Sequence, residues 1–493
     1  MRARILGLGE SGLAMARWLA RGGWDIEVAD TREDPPMRAA LARELPSARF
    51  TGGAIDPDPA GATLLAPSPG LSPLRPDVAA AFAAARAAGC EIAGEIELFA
   101  RALSDLARDR GYAPRVLGVT GTNGKTTTVR MLGAMIERAG RSVRVAGNIS
   151  PSALDALREA LDADALPWAW VLELSSFQLE TTSSLRCHAA ALLNLTPDHL
   201  DWHGDLESYL ASKLRIFAPG THIVAPRGAP WLARAQRAAG GAVSTFGPDA
   251  PAGPDEFGFV EDAGAMQWLA STEPAAPARR GRRAAGPEVP LPDEPPPRLL
   301  MPLEALGVAG RHNALNALAA LALARSAGVA LGPALHALQR FRGEPHRTEL
   351  VATIAGVDYV DDSKGTNVGA TVAAIDSLGA EGRRVVAILG GDGKGQSFGE
   401  LAAPLARNAR AILLIGRDAP RIEEALRGLD LPREHCPDLA AAVRRGRELA
   451  QPGDVVLLSP ACASFDAFRD YAHRAQVFRE AVAAIATAAG GAC

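Results

Sequence analysis

Cysteine is scarce and scattered. The five thiols (Cys90, Cys187, Cys436, Cys462 and Cys493) are odd in number and form no Cys-x-x-Cys pair. Neither a disulfide framework nor a zinc ribbon is therefore indicated. Long apolar runs are missing too, since no stretch reaches the roughly 18 residues of a bilayer-spanning helix. Met1-Arg2-Ala3-Arg4-Ile5 leads directly into a glycine loop and leaves no room for the apolar region of a signal peptide. Positive charge is not in excess: 52 Lys+Arg against 56 Asp+Glu give a net charge of −4. General attraction to nucleic acid or anionic lipid is therefore not expected. No repeat of solenoid period is present. The expected setting is cytoplasmic, with no membrane insertion and no nucleic-acid partner.

What the chain does have is core-forming material. Hydrophobic residues make up 48% and charged residues 22%, the balance of a folded soluble protein. Its 493 residues, at about 150 per domain, suggest about three domains. Arg4-Ile5-Leu6-Gly7 reads as a strand, residues 13–20 as a helix and Ile26-Glu27-Val28-Ala29-Asp30 as a second strand. A strand at residues 63–66 and a helix at 78–88 follow. Alternation of this kind implies a parallel sheet covered on both faces, closing near Gly94. A second α/β region opens at Arg115-Val116-Leu117-Gly118-Val119, with a helix at 126–139 and strands at 142–146, 169–174 and 189–195. Residues 271–298 are proline-rich with Arg279, Arg280, Arg282 and Arg283 clustered, and read as a surface insertion. An Ala/Leu-rich helix at 312–327 closes the region. The third region has strands at 357–361, 385–389, 411–415 and 455–458, and a tail expected to fray after Ile485. The expected fold is thus α/β in three domains. These are a Rossmann-like domain (1–93), a central P-loop ATPase domain with a mainly parallel sheet (94–343), and a Rossmann-like C-terminal domain (344–493).

Gly7-Leu8-Gly9-Glu10-Ser11-Gly12 lies between a strand and a helix, and Asp30 ends the next strand. Such glycines let amides approach a pyrophosphate, and a carboxylate about 20 residues on can accept ribose hydroxyls. The motif does not distinguish a dinucleotide from a nucleotide-sugar. Gly121-Thr122-Asn123-Gly124-Lys125-Thr126 is a phosphate cradle at a helix start, with Lys125 as point charge and the Thr126 hydroxyl as a Mg²⁺ ligand. A strict Walker A has its first glycine at position 119, where Val119 stands, so the loop is a variant. Glu173 ends a strand beside this loop. A carboxylate there can hold Mg²⁺, or can be a buried acid satisfied by neighbouring amides.

Asn194-Leu195-Thr196-Pro197-Asp198-His199-Leu200-Asp201 also ends a strand, with His199 a metal ligand, a proton carrier or a structural residue. Lys213 reads as an ordinary surface lysine. Asn313 and Asn316 could meet an adenine edge, but the helix-cap role is the better reading of those residues alone. Finally, Asp361-Asp362-Ser363-Lys364-Gly365-Thr366-Asn367, Gly390-Gly391-Asp392-Gly393-Lys394 and Ser459-Pro460-Ala461-Cys462-Ala463-Ser464 each follow a strand. Together they form a rim of cations and hydroxyls suited to a small anionic substrate.

These motifs, with Glu173-Leu174-Ser175-Ser176-Phe177-Gln178-Leu179, Lys213-Leu214-Arg215-Ile216, His312-Asn313-x-x-Asn316 and Pro345-His346-Arg347-x-Glu349, occur in the order found in the Mur ligases. The chain resembles that family over almost its whole length, the Pro/Arg insert excepted. The loops at 361–367 and 459–464 are similar to those of its D-glutamate-adding branch. The resemblance implies an ATP-dependent amide-forming ligase of peptidoglycan synthesis, and so of cell-wall biogenesis, cell shape and cell division. Its substrates would be UDP-N-acetylmuramoyl-L-alanine and D-glutamate, and its working form a monomer.

The resemblance also implies roles for individual residues. Ser11, Asp30, Thr31, Arg32, Ser68 and Gly70 would hold the uridine diphosphate, and Asn148 and Gln178 the muramoyl side. Gly121, Thr122, Asn123, Gly124, Lys125, Thr126 and Thr127 would bind ATP phosphates, with Asn313 and Asn316 toward adenine and Arg347 and Asp362 positioning ATP. Thr126 and Glu173 would hold one Mg²⁺, and His199 with Lys213 a second. Lys213 would carry a CO₂-derived carbamate, an oxygen ligand in place of an ammonium. Lys364, Thr366, Lys394, Ser464 and Tyr471 would recognise D-glutamate. Where the family reads Gly-Asn-Ile-Gly, this chain has Ser150 after Asn148-Ile149. The implied reaction passes through an acyl phosphate that water would destroy, which gives a reason for domains hinged near Gly94 and Gly343 to close over it. Other readings are a folylpolyglutamate synthase-like ligase, a nicotinamide-dependent oxidoreductase suggested by the first glycine loop, and a P-loop ATPase acting as a switch.

Overall fold

The computed structural model describes residues 1–272, 297–308, 310–343, 346–380 and 382–488. Nearly all of the Pro/Arg-rich insert, including its four arginines, lies outside the described residues, as does the end of the tail. Three sheets are present. The first contains β1 (Arg2–Leu6), β2 (Asp25–Ala29), β3 (Arg49–Thr51), β4 (Leu64–Pro67) and β5 (Glu91–Ile92), in the order β3-β2-β1-β4-β5. All four pairings are parallel.

The second sheet has nine strands: β6 (Arg115–Thr120), β7 (Val143–Gly147), β8 (Ala169–Glu173), β9 (Ala189–Leu192), β10 (His222–Pro226), β11 (Val243–Phe246), β12 (Glu256–Glu261), β13 (Gln267–Ser271) and β14 (Arg298–Pro302). Their order is β14-β13-β12-β11-β10-β9-β6-β8-β7. The pairs β12–β13 and β13–β14 are antiparallel and the rest are parallel. The third sheet contains β15 (Glu349–Ile354), β16 (Val357–Asp361), β17 (Val385–Gly390), β18 (Ala409–Ile415), β19 (Arg433–His435) and β20 (Val455–Leu458), ordered β15-β16-β20-β17-β18-β19. Only β15–β16 is antiparallel in it.

The fold is therefore α/β with mainly parallel sheets, as the strand–helix alternation predicts. Strands expected at 357–361 and 455–458 match β16 and β20, and the closing helix runs Arg311–Ser326. The last helix continues to Ala488, past the expected fraying point at Ile485, because Val482 and Ala486 are buried in the core beneath β15, β16 and β20. The sequence reading missed the antiparallel extension β12–β14. Those strands are only partly buried along their length and lack the continuous apolar signature of the doubly covered strands.

By contact density the chain forms two compact units. One comprises Met1–Leu195, Trp202–Leu306 and Leu315–Phe341 and holds the first two sheets. The other comprises Thr196–Asp201, Gly307–Ala314 and Arg342–Cys493 and holds the third. His199 and Asn313, which lie in the central segment of the linear division, fold with the third sheet. The first two sheets share one apolar core, in which the Glu10–Arg21, Glu95–Arg110 and Ala153–Asp162 helices pack together. Among the described residues no helix is long and apolar enough to cross a membrane.

Trp170 on β8 is the largest fully buried side chain, set edge-on to Phe99 with ring centroids 5.2 Å apart. Its indole N–H donates to the Tyr112 hydroxyl at 2.9 Å, and that hydroxyl donates to the Pro167 carbonyl at 2.6 Å. Tyr112→Phe removes the hydrogen-bond partner that the indole has among the described residues. The expected cost is about 1–3 kcal/mol, read as a lower melting temperature with unchanged Michaelis constants.

Candidate active site

In a parallel sheet the loops following the strands gather on one edge, and ligands bind there. In the first sheet β2, β1 and β4 are neighbours, so Thr31 and Arg32, the residues 7–12 turn and residues 68–70 share that edge. Ser68 donates to the Gly7 carbonyl at 2.8 Å. Gly12 admits no side chain, since a Cβ would come within 2.1 Å of the Gly7 carbonyl oxygen. Asp30 is buried and accepts from the Leu8 amide at 2.7 Å and from the Arg32 guanidinium at 2.8 Å. Burial alone would raise its pKa, but these bonds outweigh it and hold the carboxyl below its usual range. Thr31 is half-buried and Gly70 exposed.

In the second sheet β6 lies between β8 and β9. The phosphate loop leaves β6 and turns into the Lys125–Arg138 helix. Gly124 has φ +80°, and a Cβ there would sit 2.3 Å from Asn316 Oδ1. Asn316 is therefore buried against the loop from within its helix, which corrects the cap reading for that residue. Asn194, after β9, braces the loop by accepting from the Asn123 amide at 2.8 Å and donating to its carbonyl at 3.1 Å. Lys125 Nζ donates to the Gly121 and Thr122 carbonyls at 2.9 and 2.8 Å. Thr126 and Thr127 are buried at the helix start.

Lys213 is not the surface lysine its sequence context suggests. It is 1% exposed, donates to the same Gly121 carbonyl at 2.9 Å, and lies 4.4 Å from the Tyr209 ring centroid. The reason is the Leu206–Leu214 helix, which turns Tyr209 and Lys213, four apart, onto its buried face. Glu173 is 2% exposed. Its Oε1 accepts from Asn148 Nδ2 at 2.9 Å, while Oε2 is buried with no hydrogen-bond partner. An orphaned carboxylate oxygen beside a phosphate loop fits a divalent cation, which takes oxygen ligands. Gln178 caps its own short helix, with Oε1 accepting from the Ser175 amide at 3.0 Å. His203, unassigned by the sequence reading, bonds Ser176 at 2.9 Å. Burial first, and the Lys213 charge second, hold it down to about 4.

In the third sheet β16, β20 and β17 are adjacent and parallel. Their three following loops, expected to occupy equivalent positions, do so at one sheet edge. Ser459 donates to Asp362 at 2.6 Å, and Asp392 and Ala463 form a β-bridge. Lys364 Nζ lies 5.4 Å from the Tyr471 ring centroid, Thr366 is half-buried, and Ser464 is buried. His199 adopts φ +55°. Asp198, quoted in the motif but given no role there, is buried and gathers three groups: the His199 amide at 2.9 Å, Asn367 Nδ2 at 3.2 Å and Lys394 Nζ at 3.5 Å. Arg474, also missed, is fully buried and donates to the Ser363 and Cys462 carbonyls at 2.8 and 3.1 Å, tying two of the loops together.

Burial raises the Asp362 carboxyl to about 6, against the opposing bond from Ser459 and the charge of Arg347. A folded-state pKa above the unfolded value means that the favourable protonation is present at low pH and is lost as pH rises through about 6. Asp362→Asn is therefore expected to melt higher than the parent at pH 8 and to lose that advantage toward pH 4, while activity falls. Paired melting curves across that range check the sign.

Three family models match the chain: the Mur ligase MurD-like N-terminal domain over residues 1–94, the Mur ligase middle domain over 119–265, and the glutamate ligase domain of Mur ligases over 346–462. UDP-N-acetylmuramoylalanine--D-glutamate ligases of Burkholderia pseudomallei (strain 668) and Ralstonia nicotianae are each 53% identical, covering 99% of this chain and 97% of theirs. Two Thermotoga maritima structures share the fold. The UDP-N-acetylmuramate-alanine ligase MurC matches with TM-score 0.56 at 20% identity, covering 98% of this chain and 100% of that one. The MurF ligase solved in complex with ADP matches with TM-score 0.58 at 16% identity, covering 98% and 95%. The chain belongs to the Mur ligase family, on the branch of the UDP-N-acetylmuramoylalanine--D-glutamate ligases.

Proposed function

We propose that this chain is the ATP-dependent ligase that joins D-glutamate to UDP-N-acetylmuramoyl-L-alanine, in a three-domain arrangement divided at 93/94 and 343/344. The observation that carries the ATP-using half is the Gly121 carbonyl, which receives both the Lys125 and the Lys213 ammonium groups at 2.9 Å beside a buried, half-satisfied Glu173. The choice of substrates is supported by the 53% identity with ligases of that name along nearly the whole chain. We place the reaction in the cytoplasm, on a monomer.

A free carboxylate cannot usefully condense with an amine in water, because its oxygen is a poor leaving group. The alanyl carboxylate oxygen therefore attacks the γ-phosphorus of ATP and ADP departs. The amino nitrogen of D-glutamate then attacks the acyl carbon, and the tetrahedral intermediate collapses with loss of phosphate and a proton. The loop amides and Lys125 offset the charge that develops on the transferring phosphate. Mg²⁺, assigned to Thr126, Glu173 and Lys213, would spread that charge further. An ammonium is no ligand for Mg²⁺. A buried lysine beside the phosphate loop, donating to the Gly121 carbonyl and set over the Tyr209 ring, is placed to react with CO₂ and become a carbamate. On the third sheet Lys364, Lys394, Thr366, Ser464 and Tyr471 offer cations and hydroxyls to the carboxylates of D-glutamate. Ser11, Asp30, Thr31, Arg32, Ser68 and Gly70 are assigned to the uridine diphosphate, and Asn148 and Gln178 to the muramoyl side.

Phosphate release from ATP and Mg²⁺ is expected only when UDP-N-acetylmuramoyl-L-alanine and D-glutamate are both present, and not with L-glutamate. Release without D-glutamate would leave a simple ATPase instead. Protein equilibrated with ¹³C-bicarbonate is expected to show a carbamate carbon resonance that Lys213→Met lacks. Glu173→Gln, which keeps the bond to Asn148 within reach but removes the charge, is expected to lower kcat on the order of 10²-fold and to raise the Mg²⁺ concentration needed for half-maximal rate.

A further inference from the structure

Two consecutive residues of the first unit, Trp202 and His203, join segments that lie far apart in sequence. The buried Ser72 hydroxyl donates to the Trp202 carbonyl at 2.9 Å and accepts from the Leu74 amide at 3.1 Å. Ser72 shares the loop after β4 with Ser68 and Gly70. Gly204 extends the same contact, since a Cβ on it would lie 3.5 Å from Leu74 Cδ1. On the other side His203 Nε2 lies 2.9 Å from Ser176 Oγ, in a bond buried from solvent. Ser176 opens the Ser176–Glu180 helix, which carries Gln178. Between the two arms the Phe177 ring stacks on Trp202 with centroids 4.6 Å apart, and lies 5.6 Å from the His203 ring.

The chemistry proposed above makes no use of His203. Burial keeps its imidazole neutral, so one ring nitrogen donates and the other accepts. Nδ1 is 3.5 Å from Ser212 Oγ, whose own proton goes to Glu180 at 2.6 Å. Nε2 is then the acceptor for the Ser176 hydroxyl. A neutral, buried ring held in this way fixes position and carries no charge to a substrate. The two arms end on segments assigned to opposite ends of one molecule: Ser68 and Gly70 to the uridine diphosphate, Gln178 to the muramoyl side.

We propose that His203 is a positioning residue for the nucleotide-sugar. It forms, with Trp202, the middle of a bridge from Ser72 to Ser176 that sets the distance between the loop after β4 and the Ser176–Glu180 helix. The inference rests on the function proposed above. It does not require His203 to touch the substrate. The backbone joins the Trp202 carbonyl directly to His203, so the bridge holds only while both arms hold. Loss of either arm has the same consequence, and loss of both adds little.

The test compares variants of the full chain. His203→Ala is expected to raise KM for UDP-N-acetylmuramoyl-L-alanine about tenfold, the scale of one buried hydrogen bond, with KM for ATP and D-glutamate and kcat little changed. His203→Gln, whose amide reaches the place of Nε2, is expected to recover most of that loss. Ser72→Ala cuts the other arm by removing one oxygen atom, and keeps the test open should His203→Ala not fold. It is expected to raise the same constant alone. The double variant is expected to go little beyond the larger single effect, as two arms of one bridge require. Tyr112→Phe, which destabilises through the Trp170 indole, is the control: a lower melting temperature with no selective KM change. An unchanged nucleotide-sugar KM in Ser72→Ala, an equal rise in all three constants, effects that multiply in the double variant, or the same selective effect from Tyr112→Phe would overturn the inference. Absence of D-glutamate-dependent phosphate release from the parent protein would instead overturn the proposed function.

Discussion

Parallel pairing is the constraint on which the rest depends. A parallel strand cannot be followed by a hairpin, so each strand needs a crossover, here mostly a helix, before the next. All loops after the strands then open on the same edge of their sheet. In this chain that rule brings together residues far apart in sequence: Gly7 with Ser68, Lys125 with Glu173, and Asp362 with Ser459 and Lys394. The antiparallel strands are confined to sheet ends, at β12–β14 and β15, away from those edges.

The chemistry at each edge follows from what is buried there. Lys213 is a costly group to bury, because an ammonium is withdrawn from water and held against the Gly121 carbonyl and the Tyr209 ring. Glu173 stands in a similar position with one oxygen unmatched. Two buried charged groups flank one phosphate loop, and the unmatched Glu173 oxygen becomes reasonable when a cation is brought to it. Asp362 repeats the pattern on the third sheet as a buried carboxyl held near neutral pH by its surroundings. Stability is given up at these places in return for groups poised to react, the usual relation between strained sites and function.

Beneath the reacting groups lies a layer of residues that set positions. Arg474 ties together the loops after β16 and β20 by their carbonyls, so those loops are fixed by a contact that no ligand need supply. Asp198 does the same for His199, Asn367 and Lys394.

Much of this was legible in the sequence. Strand–helix alternation marked the central parallel strands, though not β3, β5, β10 to β15 or β19, and glycines at the turns marked the phosphate loop and the first nucleotide loop. Both are local properties: a loop of glycine amides at a helix start is a phosphate cradle wherever it is placed. Lys213 was legible as a functional group only through the family resemblance, and Asp198 and Arg474 were not, since their neighbours in the chain fit an ordinary surface lysine, a motif filler or a polar helix residue. Their roles depend on burial and on partners up to 196 positions away, as for Asp198 and Lys394. The sequence by itself determined which chemistry was present and on which elements. Only the tertiary structure decided which charges are withdrawn from water and which loops share a brace, because desolvation and long-range hydrogen bonds exist only once the sheets have closed over them.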